Sequence, residues 1–279
     1  MADNRPIGVF DSGVGGVTIL REIENLLPHE DLLYFADTAN IPYGNKSPAE
    51  IARLAADVSE FLISRKAKIV VVACNTASVA GLTHLRESYA VPFVGIVPAV
   101  KPAAESSNRK RIGVMATDTT LASEILDSLV HKFASDTIVV RQVCPGLVDL
   151  VERGQVEGPE AESLLRRYLE PLVAAQVDTV VLGCTHYPFL RGPIEAIVGE
   201  SIAVIDPALP VARQVARVLS ANELRANRER KGKTRFFTSG DEGIFADLLR
   251  KLTGRRTVKV QRVRLTGQKP ENALPPTQG

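Results

Sequence analysis

Two stretches 110 residues apart, Val70-Val71-Val72-Ala73-Cys74-Asn75-Thr76 and Val180-Val181-Leu182-Gly183-Cys184-Thr185-His186, decide how this chain folds. Each is a short β-branched or aliphatic run of the kind that forms a buried strand, and each runs into a cysteine followed by polar residues. Outward from this pair the echo continues. Ile7-Gly8-Val9-Phe10 is answered by Ile112-Gly113-Val114-Met115 at an offset of 105, and Val94-Gly95-Ile96-Val97-Pro98 more loosely by Val204-Ile205-Asp206-Pro207. One match between short apolar strands carries little weight. Three in the same order at nearly one offset imply an internal duplication.

Strand patterns cover residues 7–10, 32–36, 69–73, 93–96, 112–115, 137–143, 179–182 and 203–205. Between them lie segments such as 17–27, 48–65 and 161–175, with apolar residues three and four apart, the spacing of one helix face. This alternation predicts an α/β fold of two pseudo-symmetric domains, each a mainly parallel sheet flanked by helices, with the site in the cleft between them. After Pro210 come a helix pattern (211–224), a strand (235–238), a helix (244–252) and a last strand (257–265), with no counterpart in the second half. They are expected to pack back on the first domain, making it 1–98 plus 211–265, against 99–210 for the second. Residues 266–279 contain three prolines and almost no bulky apolar side chain, and read as a disordered tail.

Of the 279 residues, 45% are hydrophobic and 24% charged, with mean hydropathy +0.04, which places the chain among globular proteins rather than disordered or membrane ones. No apolar stretch approaches the roughly 20 residues that span a bilayer, and the first residues lack the apolar centre of a secretory signal, so a cytoplasmic protein is expected. Three cysteines cannot build a disulfide framework, so position must say whether they are buried apolar residues or reactive thiols. The net charge of +2 is uneven. Residues 225–264 carry thirteen Lys or Arg against four Asp or Glu, a local +9 that leaves −7 on the rest. A solvated face is the principal reading of this region and nucleic-acid contact the minor one.

Ligands of parallel sheets gather beyond the carboxyl ends of strands, so the polar residues there are the candidates. The first strand runs into Asp11-Ser12-Gly13-Val14-Gly15-Gly16, whose backbone amides could face a carboxylate; a tight turn with Asp11 as helix cap explains it equally well. It has neither the ending of a P-loop nor dinucleotide spacing. Asp37 to Gly44 is a polar loop of interest by position only. Cys74 and Cys184 each end a strand where a following helix N-terminus would lower a thiol pKa. Zinc would require more ligands at closer spacing, and a redox pair more often a Cys-x-x-Cys motif. Cys144 lacks a counterpart and reads as structural, while Asp149 and Glu152 are either surface charges or part of the cleft.

Matched thiols on opposite faces of one ligand suit inversion at a carbon acid, where one base removes a proton and the opposite acid delivers another. No segment reads as a PLP-lysine site, so the implied chemistry is a racemisation without cofactor. The motifs Asp11-Ser12-Gly13, Pro42-Tyr43-Gly44, Cys74-Asn75-Thr76 and Gly183-Cys184-Thr185-His186-Tyr187-Pro188 then make residues 5–265 resemble the cofactor-independent aspartate/glutamate racemase superfamily, in its glutamate racemase branch. The resemblance implies interconversion of L- and D-glutamate, with D-glutamate supplied to peptidoglycan synthesis and hence to cell wall and cell shape. It implies Cys74 as base toward D-glutamate and Cys184 toward L-glutamate, with Asp11 on the Cys74 side and His186 with Glu152 on the Cys184 side assisting proton transfer. Asp11, Ser12, Pro42, Tyr43, Gly44, Asn75, Thr76, Thr117, Thr185 and His186 would bind substrate. No metal, cofactor or membrane partner is expected, and a homodimer stays open. The alternatives are an aspartate racemase of the same superfamily and, behind it, a nucleic-acid-binding protein.

Overall fold

The computed structural model describes residues 3–265; the tail expected at 266–279 lies outside them. Ten strands occur among the described residues: β1 Ile7–Asp11, β2 Leu32–Ala36, β3 Ile69–Val72, β4 Phe93–Gly95, β5 Arg111–Ala116, β6 Ile138–Val143, β7 Thr179–Leu182, β8 Ala203–Ile205, β9 Thr234–Thr238 and β10 Val260–Arg262. They form two sheets, ordered β10-β9-β2-β1-β3-β4 and β6-β5-β7-β8, and every ladder is parallel. The order β2-β1-β3-β4 is thus repeated as β6-β5-β7-β8. Strands that echo one another in sequence, β1 with β5, β3 with β7 and β4 with β8, hold the same places.

The central strands β1, β2 and β3 are buried along their whole length, as their unbroken apolar runs require when helices cover both faces of a parallel sheet. At the edge of the second sheet, β6 mixes Arg141 and Gln142 among its aliphatic residues and is only partly covered, with Ile138 53% exposed. Helix ends follow local chemistry. Ser47 accepts a hydrogen bond from the Glu50 amide in front of Pro48–Ser64, and Asp241 does the same for Ile244 at the start of Glu242–Thr253.

The segment after Pro210 joins the first sheet: β9 pairs with β2 from Leu32↔Thr234 to Ala36↔Thr238, and β10 lies outside it. Two elements of this segment differ from expectation by three residues at each end. The helix expected at 211–224 is Ala208–Ala221, because Pro210 is tolerated in a first turn, where its missing amide would be unpaired anyway. The last strand, expected at 257–265, spans only Val260–Arg262, since an edge strand with one neighbour keeps only the rungs that neighbour supplies. Part of the basic region is consumed in this docking. Arg228 and Arg230 both reach Asp31 at 2.8 Å, ahead of β2, and Arg255 pairs with Glu24.

A buried ion pair ties these pieces together. Lys68 Nζ donates to Glu30 Oε2 and to the Asp3 carbonyl, both at 2.6 Å, while Glu30 Oε1 accepts from the Ala226 amide at 2.8 Å. Both side chains are almost wholly buried. Removing one partner strands a charge in the interior, so Lys68→Met is expected to cost about 3–5 kcal/mol in urea unfolding. Lys68→Met combined with Glu30→Gln should recover part of that loss, because glutamine still accepts from Ala226 and no buried charge remains. A double variant no more stable than Lys68→Met would contradict this account.

Candidate active site

The C-terminal ends of the strands bring distant loops around one cavity of about 260 Å³. Ser12 comes from the loop after β1, and Pro42, Tyr43 and Gly44 from the loop after β2. Cys74, Asn75 and Thr76 follow β3, Thr117 follows β5, and Cys184, Thr185 and His186 follow β7. Every expected site residue except Asp11 and Glu152 therefore lines the cavity. Those two stand behind its wall. At this size, below the roughly 300 Å³ where drug-sized pockets begin, the cavity suits a small metabolite better than a nucleotide.

Behind the wall the two halves are stitched to each other. Asp11 Oδ1 accepts from the Gly13 amide at 2.8 Å, and its Oδ2 accepts from Thr185 Oγ1, on the Cys184 loop, at 2.8 Å. Asp11 is thus a buried acceptor shared by both halves, and the alternative of a helix cap falls away, since Val17–Leu26 is preceded by Gly16 with no side-chain cap. Glu152 Oε1 accepts from the Val14 amide and from His186 Nε2, each at 2.7 Å. His186 Nδ1 lies 3.8 Å from Cys184 Sγ. Of the two readings of Glu152, this is the cleft one.

The charge states correct one expectation. Cys74 does precede a helix, Asn75–Ser88, but burial and then the nearby Asp11 carboxylate push its thiol pKa up rather than down. Cys184 is followed not by an α-helix N-terminus but by the 3-10 turn Tyr187–Leu190, so the expected helix is absent there. What Cys184 has beside it is His186. Burial by itself would drive that ring neutral, but its hydrogen bonds to Cys184 and Glu152 outweigh burial and hold it well above the usual histidine range. One thiol thus lies beside a carboxylate and the other beside an imidazolium. Asp11 itself is pushed up, chiefly by burial.

Asn75 is the plainest sign of a ligand. Both of its side-chain amide atoms are buried without a hydrogen-bond partner, and the residue lines the cavity. Such groups are costly unless something satisfies them. Thr76 Oγ1 meets Thr117 Oγ1 at 3.0 Å, and Thr119 Oγ1 donates to the Gly44 carbonyl at 3.2 Å, closing the cleft from the other side. Cys144, expected as a structural residue for want of a duplicated counterpart, also lines the cavity, as does Asp149. Tyr34, whose hydroxyl donates to the Gly13 carbonyl at 2.8 Å, gave no signal in sequence beyond being apolar. Among the described residues, no group of three or more His, Cys, Asp or Glu side chains could hold a metal.

The glycines after β1 are required by close approach. A Cβ at Gly15 would stand 2.5 Å from His186 Nδ1, and one at Gly13 would collide with Glu152 Oε1. Gly15→Ala is therefore expected to displace the imidazole and cut turnover about 100-fold, the scale of a 1 Å misplacement at a reacting group. Unchanged kcat in this variant would remove His186 from the account.

Two parallel sheets sharing one strand order, with a thiol beyond the same strand of each and one cavity lined by both, define a class: α/β enzymes with a small-ligand site between two related halves. Residues 7–215 match the Asp/Glu/Hydantoin racemase family. A glutamate racemase from Roseiflexus sp. is 48% identical over 250 residues, covering 89% of this chain and 92% of its own. The glutamate racemase structure from Bacillus anthracis superposes with a TM-score of 0.87 at 32% identity, covering 94% of this chain and 98% of that one. The Francisella tularensis glutamate racemase, determined with D-glutamate, gives 0.83 at 32% identity, covering 95% and 100%. The chain belongs to the Asp/Glu/Hydantoin racemase family and is an amino-acid racemase, an isomerase. Among the described residues no helix is long and apolar enough to cross a membrane.

Proposed function

We propose that the protein interconverts L- and D-glutamate by a two-thiol mechanism, with Cys74 and Cys184 on opposite faces of the α-carbon. The observation that carries this reading is the pair itself: one thiol beyond β3 and one beyond β7, equivalent strands of the two sheets, both lining one cavity. The names of the relatives supply glutamate as substrate.

In the L-to-D direction, Cys184 as thiolate takes the α-proton and the C–H electron pair stays on the α-carbon. Cys74, kept protonated by its buried surroundings, delivers its S–H proton to the opposite face. Cys184 ends as thiol and Cys74 as thiolate, and proton exchange resets the pair. The reverse direction exchanges the roles. The His186 imidazolium faces the negative charge on Cys184, and Glu152 holds the ring in place. Asp11 acts from behind the wall, through Thr185 and the Gly13 amide, rather than by touching substrate. Asn75, Thr76, Thr117, Thr185, Ser12 and the Tyr43-Gly44 backbone are the donors and acceptors left for the substrate's carboxylates and ammonium.

This reading treats 1–98 with 211–265 as one domain and 99–210 as the other, with substrate entering as the two shift apart. It places the enzyme in the cytoplasm, supplying D-glutamate for peptidoglycan. A circular-dichroism assay with each glutamate enantiomer and no added cofactor tests it: loss of optical activity from both is expected, and a signal from aspartate but not glutamate would transfer the assignment to the sister activity.

A further inference from the structure

The loop after β2 that carries Pro42, Tyr43 and Gly44 into the cavity does not hold itself in place. Its anchor is Asp37, a fully buried carboxylate at the end of β2. Tyr43 donates its hydroxyl to Asp37 Oδ2 at 2.6 Å, and Asn40 Nδ2 bridges both carboxylate oxygens at 3.0 Å. The Tyr43 hydroxyl is therefore spent internally, and what this residue offers the cavity is its ring and backbone. The remaining donor to Asp37 comes from 202 residues away: Ser239 Oγ, at 2.6 Å from Oδ1.

Ser239 follows β9, in the part of the chain beyond residues 7–215 that match the family, and has no counterpart in the second half. Its contacts form a strap. Besides donating to Asp37, Ser239 Oγ accepts from the Ala39 amide at 3.0 Å, and the Ser239 amide donates to the Ala36 carbonyl. On either side, Thr238 Oγ1 meets Thr38 Oγ1 at 2.6 Å, and the Gly240 amide donates to Thr38 Oγ1 at 3.2 Å. The hydroxyl sits in a buried site, where its loss leaves both a carboxylate oxygen and an amide short of a partner.

We infer that Ser239 is a positioning residue for the racemase reaction: through Asp37 and Ala39 it sets the height of the Tyr43-Gly44 floor on which substrate rests. The inference rests on the glutamate reading above. It explains why the chain carries a strand beyond the duplicated set. The order β2-β1-β3-β4 would end with β2 as an open edge, and the loop after it would have no neighbour on that side. Adding β9 covers the edge and brings Thr238-Ser239-Gly240 alongside residues 38–40.

A floor that touches substrate alike in ground and transition state affects binding rather than the chemical step. Ser239→Ala is expected to raise KM about tenfold for both glutamate enantiomers, with kcat within about threefold of wild type. Thr234→Val is the control. It removes a bond at the far end of the same strand, Thr234 Oγ1 to Glu24 Oε1 at 2.5 Å, and should lower thermal stability while leaving KM unchanged. If Ser239→Ala does not fold, Thr238→Val removes the parallel strut to Thr38 and should raise KM in the same sense, by a smaller factor. A KM unchanged in the first of these variants that folds, a fall in kcat without a change in KM, or an equal KM rise in Thr234→Val overturns the strap. A wild-type enzyme that turns over no glutamate overturns the substrate reading, and the strap's stated role falls with it.

Discussion

Cys74→Ser and Cys184→Ser are each expected to lower racemisation in both directions by more than about 1,000-fold, within the range attributed to a single proton-transferring group. In the proposed mechanism each thiol acts as base in one direction and as acid in the other, so no direction can spare either. A serine hydroxyl occupies the same place but ionises far less readily. Exchange of the α-proton with deuterated solvent separates the two roles. Cys184→Ser should retain exchange only into D-glutamate, through Cys74, and Cys74→Ser only into L-glutamate, through Cys184. Near wild-type turnover in either variant, or wild-type racemisation without deuterium uptake, would sink the two-thiol mechanism.

The second large effect is at the Cys184 side. His186→Asn is expected to reduce turnover of L-glutamate by about 100-fold or more and that of D-glutamate by less, because the imidazolium faces the thiol that starts only one of the two directions. Its pH dependence has a definite sign. The folded-state pKa of His186 is raised, its bonds to Cys184 and Glu152 outweighing the opposing effect of burial, so the imidazolium persists above the ordinary value of about 6.5 and is lost as pH rises through the raised one. Any stability that the charged ring contributes is likewise complete below about 6.5 and lost through that higher window. Glu152→Gln keeps the shape but removes the charge behind the ring. The alkaline limb of L-glutamate turnover should therefore move to lower pH, and a pH–rate profile that stays where the wild type's is would show that Glu152 only braces the Val14 loop.

The electrostatic contrast between the thiols gives the fold a direction that its symmetry does not require. The two sheets repeat one strand order, yet Cys74 is wrapped by burial and a carboxylate, and Cys184 by a histidine whose far nitrogen is held by Glu152. A duplicated scaffold supplies equivalent positions, and the side chains behind them decide what each position does.

The parallel sheets and their order of elements were legible because the signals are local. Apolar runs such as Val70-Val71-Val72 can only be satisfied when covered on both faces, and the recurrence of a cysteine beyond two equivalent strands needs no knowledge of the packing. The motif residues that line the cavity could be read for the same reason, since strand ends in parallel sheets converge. Glu152 stayed ambiguous, because its partners Val14 and His186 are 138 and 34 residues away. The thiol pKa argument failed because it considered only the helix dipole, a modest effect beside the desolvation of a buried sulfur.

That this is a duplicated α/β chain with two thiols at matching strand ends was readable from the residues alone, because strand periodicity and polar strand termini are written in contiguous residues. The packing of the folded chain adds that Asp11 and Glu152 stand behind the cavity wall, that burial raises the Cys74 thiol pKa, and that a serine on the returning strand hydrogen-bonds the loop after β2. These depend on burial and on hydrogen bonds between residues as far as 202 positions apart, such as Ser239 to Asp37, which no local pattern records.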